Sequence, residues 1–507
     1  MTYSMYLCFA LATLGRTDSV EEASADADLG DAFEPPLQRV RKLLEEFASQ
    51  PVSPGAAFAL EQQVQAELRE VGRVGVEWAY NQVEPNRVDA LPPQVHFEAG
   101  RYTRLNRKTP QDVATLFGKI RVWRVGYRPT QKTGDPTIFP LAIQLGIVAG
   151  ATPALAERAA RYQAEAGATQ RRTLERLKQD HGVDWGVKKL RQVVGLIAEA
   201  LSAERHECQV EKLLQLLEQA WSSQGKHKPV LSIGRDGICV GVPIRGGTVF
   251  EVASASTVTV YDRRGQRLGT VYLAYMPESK QGMMSQQLTR LVEAVLRGWE
   301  RGLPRLCYVT DAGDNETAYY QNVLRRMRHP RTGERLEWIR VVDYYHASTR
   351  LWTMAEALFG SGPAAKAWAR RMQKLLKQPN GIRRVLNSAS VLRSRHRLKG
   401  KAKAEFRKAY QYLRTRTKSM DYATYQRAGI PRGSGVTEAA CKTIYTQRLK
   451  LSGMRWKKAG AQTILNLRVV LLSGVWTQAY QRVLNTFANV KVPTYDLPAG
   501  KTLEIAA

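Results

Sequence analysis

Cysteine is scarce: five residues in 507, Cys8, Cys208, Cys239, Cys307 and Cys441, with no Cys-x-x-Cys pair. That excludes a disulfide scaffold and a cysteine-ligated zinc, and it fits a reducing compartment. Cys239 and Cys307 fall in apolar, strand-like runs, where a free thiol packs as a small hydrophobe. Long apolar runs are also missing, so no segment is expected to span a bilayer. Met1 to Gly15 has the apolar centre of a signal peptide but lacks its basic n-region, and we expect a soluble, cytoplasmic chain. Acidic residues are few: 46 Asp and Glu against 76 Lys and Arg, a net charge of +30. Such an imbalance favours polyanionic partners, nucleic acid before an anionic membrane, and says nothing about fold.

What is present divides the chain by charge. The length predicts about two to four domains. Residues 17–37 hold seven acidic residues and no basic one, so 1–35 is expected to be a disordered leader. Residues 36–228 read as mainly helical, from the spacing of Leu43, Leu44, Phe47, Leu60, Val64 and Leu68. A short β segment is predicted at about 114–139. Helices follow over 153–201, where the run from Thr173 through Gly182 to Val194 reads as helix, glycine turn, helix. Lys188, Lys189 and Arg191 on its second helix suit a major groove; the same pattern fits a helical hairpin with a solvated basic face.

Residues 229–346 alternate strands with helices. Strands are predicted at Val230–Val242, Thr248–Tyr261, Leu268–Tyr275, Leu303–Val309 and Leu336–Val342, with a hairpin turn at Arg263-Arg-Gly-Gln. Helices are predicted at Ser285–Arg301 and Glu316–Met327. Three hairpin strands, helix, strand, helix, strand is the RNase H-like order: an α/β core with a mixed five-stranded sheet and its site at the first and fourth strands. Residues 347–430 become all-helical and basic. Between Ala365 and Met420 there are eighteen Lys and Arg and one acid, Glu405. A solvated helix face would carry glutamates for i,i+4 pairing. Their absence points to phosphate contact, with Arg393, Arg395 and Arg397 as candidates. Phe406, Tyr410 and Tyr412 recur at near-helical spacing, as core aromatics do. Residues 431–485 return to the core, and 486–507 form a tail.

Three carboxylates stand out. Asp236 interrupts an apolar strand, Asp311 closes another, and Glu438 opens a basic amphipathic helix. A carboxylate beside an apolar strand costs free energy unless something meets it. Two- or three-carboxylate sites that hold a pair of divalent ions about 4 Å apart cut and join phosphodiesters, and hard ions such as Mg2+ or Mn2+ take carboxylate oxygens. Singly, each acid also reads as a turn residue, a cap or a solvated helix glutamate. Asp314 and Glu316 could stand in for Asp311, which ranks first because it ends the strand directly. Beside Glu438, the cations Lys442, Arg448, Lys450, Arg455 and Lys457 are candidates to grip a DNA end. Trp456 could stack on a displaced base or pack in the core.

The chain resembles a bacterial insertion-sequence DDE transposase of the Mutator-like group, in its ISKra-type branch. Gly234-Arg-Asp-Gly, Val309-Thr-Asp-Ala-Gly, Asp343-Tyr-Tyr-His-Ala and Ile430-Pro-Arg-Gly-Ser-Gly-Val-Thr-Glu-Ala-Ala-Cys-Lys carry the resemblance. The last block continues through Arg448-Leu-Lys-Leu-Ser-Gly-Met-Arg-Trp to Leu467-Arg-Val-Val-Leu-Leu-Ser-Gly. Coverage is strong over about 229–475. The resemblance implies an RNase H-like core with a helical insertion before the glutamate. It assigns Asp236, Asp311 and Glu438 to two catalytic ions, and it matches Asp343 and His346 to an Asp-x-x-His signature, His346 being a further catalytic candidate. Where relatives carry a zinc-ribbon cysteine cluster, this chain runs from Leu116-Phe-Gly into Thr-Gln-Lys-Thr-Gly-Asp-Pro without cysteine, so no zinc is expected. The implied activity is binding of terminal inverted repeats in double-stranded DNA, 3′-end cleavage and strand transfer, by a dimer or larger assembly on DNA and without a membrane partner. An inactive DNA-binding relative and an RNase H-fold nuclease or resolvase are the alternatives.

Overall fold

The computed structural model describes residues 29–98, 100–131, 134–488 and 494–495. The chain folds as two compact units, residues 1–201 with 480–507, and residues 202–479. No helix among the described residues is long and apolar enough to cross a membrane.

In the first unit, α1 (Leu29–Ser49) packs on α2 (Pro54–Asn81). Ser53 caps α2 by accepting from Ala56 N at 3.1 Å, and Pro54 stands where a missing N–H costs nothing. Gly75 makes room for Phe33, whose Cζ would lie 2.8 Å from a Cβ at that position. This packing extends helix back to Leu29, inside the stretch expected to be a disordered leader, because tertiary burial outweighs local composition. The rest of that leader, residues 1–28, lies outside the described residues.

The β segment of this unit is larger than its sequence suggests. Strands β1 (Gln94–Phe97), β2 (Gly100–Thr115), β3 (Gly118–Pro129) and β9 (Thr494–Tyr495) form an antiparallel sheet in the order β3-β2-β1-β9. Exposed Arg101, Thr103, Asn106 and Arg107 along β2 break up the apolar alternation that marks a strand. The outermost strand comes from the expected tail, Thr494–Tyr495 pairing with Val95–His96. Tyr480 on the preceding helix donates its hydroxyl to Pro153 O at 2.6 Å, at the start of α3 (Pro153–Ala164). Next, α4 (Gln170–His181) ends at Gly182, whose φ of 64° lets its N–H reach the Leu177 and Lys178 carbonyls. α5 (Val187–Ser222) follows, a helix of 36 residues whose part from Ser202 on belongs to the second unit.

The second unit is a mixed α/β structure on a five-stranded sheet. Strands β4 (Val230–Ile244), β5 (Gly247–Tyr261), β6 (Arg267–Tyr275), β7 (Arg305–Thr310) and β8 (Trp338–Val342) lie in the order β6-β5-β4-β7-β8. The first three are antiparallel, whereas β7 and β8 run parallel to β4. The β5–β6 turn is closed by Asp262 Oδ1, which accepts from Arg264 N at 2.9 Å and Gln266 N at 2.7 Å. One face buries Ile233, Val258 and Tyr308 under the end of α5, α6 (Gly282–Gly298) and α7 (Asp314–Asn322). On the other face, Val309 and Val341 lie under α8 (Tyr344–Phe359), α9 (Pro363–Leu376), α10 (Gly381–His396), α11 (Gly400–Thr415) and α12 (Tyr422–Arg427). α13 (Gly435–Cys441) and α14 (Lys458–Leu472) cover Val240, Ala253 and Ala255. Sheet between two helical layers gives each apolar face a partner. Cys307 is buried as expected; Cys239 is exposed, because it faces outward where β4 runs past β7.

Candidate metal and phosphate site

Three aspartates stand level across three parallel strands, Asp236 within β4 and Asp311 and Asp343 just past the ends of β7 and β8. Gly234 on β4 pairs with Val309 on β7, and Val309 with Val341 on β8. Two residues further along each chain come Asp236, Asp311 and Asp343. Strands are about 4.8 Å apart, so acids at one level repel one another. Asp236 shows this: burial raises its pKa most, and the charges of Asp311 and Glu438 push the same way. Its Oδ1 accepts from Gly237 N at 2.7 Å, and the Cys441 thiol also meets the carboxylate.

Glu438 reaches this row because β4 has glycine at 234. Thr437 Oγ1, 2.8 Å from Thr257 Oγ1, would lie 1.9 Å from a Cβ on Gly234. Any side chain there would push α13 off the sheet. Beside Asp311, Glu316 is buried and Asp314 exposed. A Cβ on Gly313 would lie 2.5 Å from Glu316 Oε2 and 3.4 Å from Asp311 Oδ1. Of the two substitutes offered by the sequence, Glu316 therefore turns back to the site, and Asp314 faces solvent. Burial raises the Glu316 pKa, and Asp311 adds to it.

Asp343 is different in kind. It is 0% exposed, and both its oxygens are engaged. Oδ1 accepts from His346 N at 2.8 Å, capping α8; Oδ2 accepts from Ser434 N and lies 2.8 Å from Ser434 Oγ. Ser434 Oγ also lies 3.0 Å from Glu438 Oε1, its single proton serving one carboxylate at a time. Burial alone would raise the Asp343 pKa, but the His346 and Ser434 hydrogen bonds outweigh it and hold it at about 2. His346 Nδ1 lies 3.7 Å from Asp343 Oδ1 and 3.6 Å from Glu438 Oε1. Asp343 raises the His346 pKa against the effect of burial. Asp343, His346 and Glu438 offer ligand atoms within 4.8 Å of one another. A cation there would have to displace buried amide donors from Asp343, which is costly. The residue acts as a latch, joining the end of β8 to Ser434 at the start of α13, the helix that carries Glu438.

Asp236, Asp311 and Glu438 offer the donor chemistry that a hard divalent cation takes, although their ligand atoms are not grouped within 4.8 Å as those of Asp343, His346 and Glu438 are. These are oxygen ligands, at least part-exposed, and among the described residues no Lys or Arg salt bridge reaches them.

Not every expected DNA contact is available. Lys442, Lys450, Arg455, Arg393, Arg395 and Arg397 are exposed in the second unit; in the first, Lys188 and Arg191 are exposed and Lys189 half-buried. Arg448 is the exception. It is 0% exposed, its guanidinium 5.0 Å from the Trp456 ring centre, and burial pulls its pKa down to about 10. A π-helical turn at Lys442–Thr446 changes the helical phase between Glu438 and Arg448, so the basic spacing misleads. Trp456 itself packs against the core cluster that includes Val240, Tyr445 and Leu465. We expect Arg448→Ala to lower stability by about 1–3 kcal/mol while leaving the salt dependence of DNA binding unchanged. Lys450→Ala or Arg455→Ala should each reduce the slope of log K against log salt by about one. Calorimetry with fluorescence titrations at several salt concentrations checks both, and a lowered slope for Arg448→Ala would contradict its burial.

Sequence reasoning missed Ser434, which reads as a plain helix cap in Gly-Ser-Gly. It also passed over Arg235, buried on the opposite face of β4. Arg235 donates to Ser285 Oγ at 3.0 Å and Gln281 Oε1 at 2.8 Å and lies 4.6 Å from the centre of the Tyr319 ring. A cation next to Asp236 inside an apolar strand was the available signal. No protein-family model and no curated protein matches this chain.

Proposed function

We propose that this protein is a DDE transposase: it binds the terminal inverted repeats of an insertion sequence, frees a 3′-end and joins it to target DNA. The observation that carries this reading is the level placement of Asp236 and Asp311, with Glu438 brought beside them across Gly234. The strand order β6-β5-β4-β7-β8 supports an RNase H-like core, and the helices α8 to α12 then form its basic insertion.

Asp236, Asp311 and Glu438 would hold two Mg2+ or Mn2+ ions, which when bound lower the pKa of water and offset charge on a phosphate. The protein's own residues do the rest. Exposed Lys442, Lys450 and Arg455 neutralise the DNA backbone near Glu438. Ser434 and His346 orient the Glu438 carboxylate, and buried Asp343 fixes both. In cleavage, water oxygen bonds to the scissile phosphorus and the 3′-oxygen leaves. In joining, that 3′-hydroxyl attacks a target phosphorus, losing its proton to solvent, and displaces the target's 3′-oxygen, which takes up a proton from solvent to become a free 3′-hydroxyl.

The test combines protein, labelled DNA ends taken from the sequence flanking the gene, a plasmid target and Mg2+. Joined products are expected. Cleavage without joining would instead indicate an RNase H-fold nuclease or resolvase, and binding without cleavage a DNA-binding relative.

A further inference from the structure

We infer that Tyr412 and Arg416, at the end of basic helix α11, are positioning residues that hold the Asp311 turn in shape; their consequence for metal binding rests on the function proposed above. The turn leaving β7 is strained, since Ala312 has a φ of 59°, a left-handed conformation unusual for a residue with a Cβ. Such strain persists only where the surroundings over-determine it. Here two consecutive carbonyls are tied to one remote segment. The Tyr412 hydroxyl donates to Asp311 O at 2.5 Å, and Arg416 Nη2 donates to Ala312 O at 3.0 Å. Both donors are themselves held, with the guanidinium groups of Arg416 and Arg350 lying 4.3 and 4.9 Å from the centre of the Tyr412 ring. Inside the turn, Asp311 Oδ1 accepts from Gly313 N at 2.9 Å, so moving the backbone also moves the carboxylate.

The side of α11 away from Tyr412 exposes Lys403, Arg407 and Arg414 to solvent. One helix thus offers cations outward and braces Asp311 inward. Phosphate bound along its outer face would stiffen the helix and, through Tyr412, the turn. The segment that binds DNA would then also ready the carboxylate that acts on it.

The experiment uses the full-length protein as wild type, Tyr412→Phe and Arg416→Gln, with Tyr410→Phe as control because Tyr410 instead stacks on Phe406 at 5.8 Å. Amide hydrogen exchange of residues 309–316 without metal is expected to speed up about two- to tenfold in the first two variants, the equivalent of one lost hydrogen bond, and to stay unchanged in the control. Exchange equal to wild type in both variants would overturn the brace. Mn2+ titration followed by electron paramagnetic resonance is expected to show affinity weakened by about the same factor, with the melting temperature moved little. Accelerated exchange with unchanged Mn2+ affinity would overturn the link to the metal. If the wild type binds no Mn2+ at all, the proposed function fails, while accelerated exchange would still support the brace.

Discussion

Asp236→Asn is expected to abolish metal-dependent DNA cleavage, by at least about a thousandfold, without unfolding the protein. The replacement keeps the shape and an oxygen able to accept from Gly237 N, now 2.7 Å away. It removes a charge whose pKa is already raised by burial and by the charges of Asp311 and Glu438. The folded state should therefore hold or gain up to about 1 kcal/mol, a trade-off seen when a group is kept for chemistry rather than for stability. Mg2+ should raise the melting temperature of the wild type by mass action and leave Asp236→Asn where it was. Cleavage assays and scanning calorimetry with and without Mg2+ decide the matter. A variant that still cuts DNA would remove Asp236 from the site, and one that melts early would make it structural.

Asp343→Ala is expected to cost about 3–5 kcal/mol, the largest stability loss predicted for any single substitution in the second unit. It strips the acceptor from His346 N, Ser434 N and Ser434 Oγ at a position with 0% exposure. Asp343→Asn should fall between, because its amide nitrogen must face one of those donors. The pH dependence follows from the sign of the shift. The folded carboxyl titrates at about 2, below an unfolded value of ~3.9. Its contribution is full above that value and is lost as pH falls from about 4 towards 2. Urea denaturation at pH 7 and pH 3 should show a wild-type advantage over Asp343→Ala that shrinks in acid. Equal midpoints at pH 7 would remove the latch.

Much of the second unit was legible because strands between two helical layers carry apolar runs, and an acid inside such a run is conspicuous. Asp236 and Asp311 announced themselves in this way. Glu438 needed the motif around it, since a glutamate near a helix start is otherwise ordinary. Illegible were the contacts that tie distant segments together. Nothing local links Asp343 to Ser434, 91 residues on, or Tyr412 to Asp311, 101 residues back. Arg448 misled because a cation in a basic helix reads as exposed until a π turn rotates it inward. In the first unit, β2 hid behind its charged outer face, and the β1 neighbour at Thr494–Tyr495 gave no sign of its partner.

That neighbour has a consequence for biosynthesis. The first unit is made from residues on both sides of the second, so a ribosome must finish the whole of 202–479 before Tyr480 can reach Pro153 and Thr494–Tyr495 can close the β1 edge. Polypeptides released early carry an incomplete first unit with an open strand edge, which favours aggregation and clearance. A nascent chain interrupted within the second unit would therefore be a poor competitor for the DNA that the proposed function assigns to the finished protein.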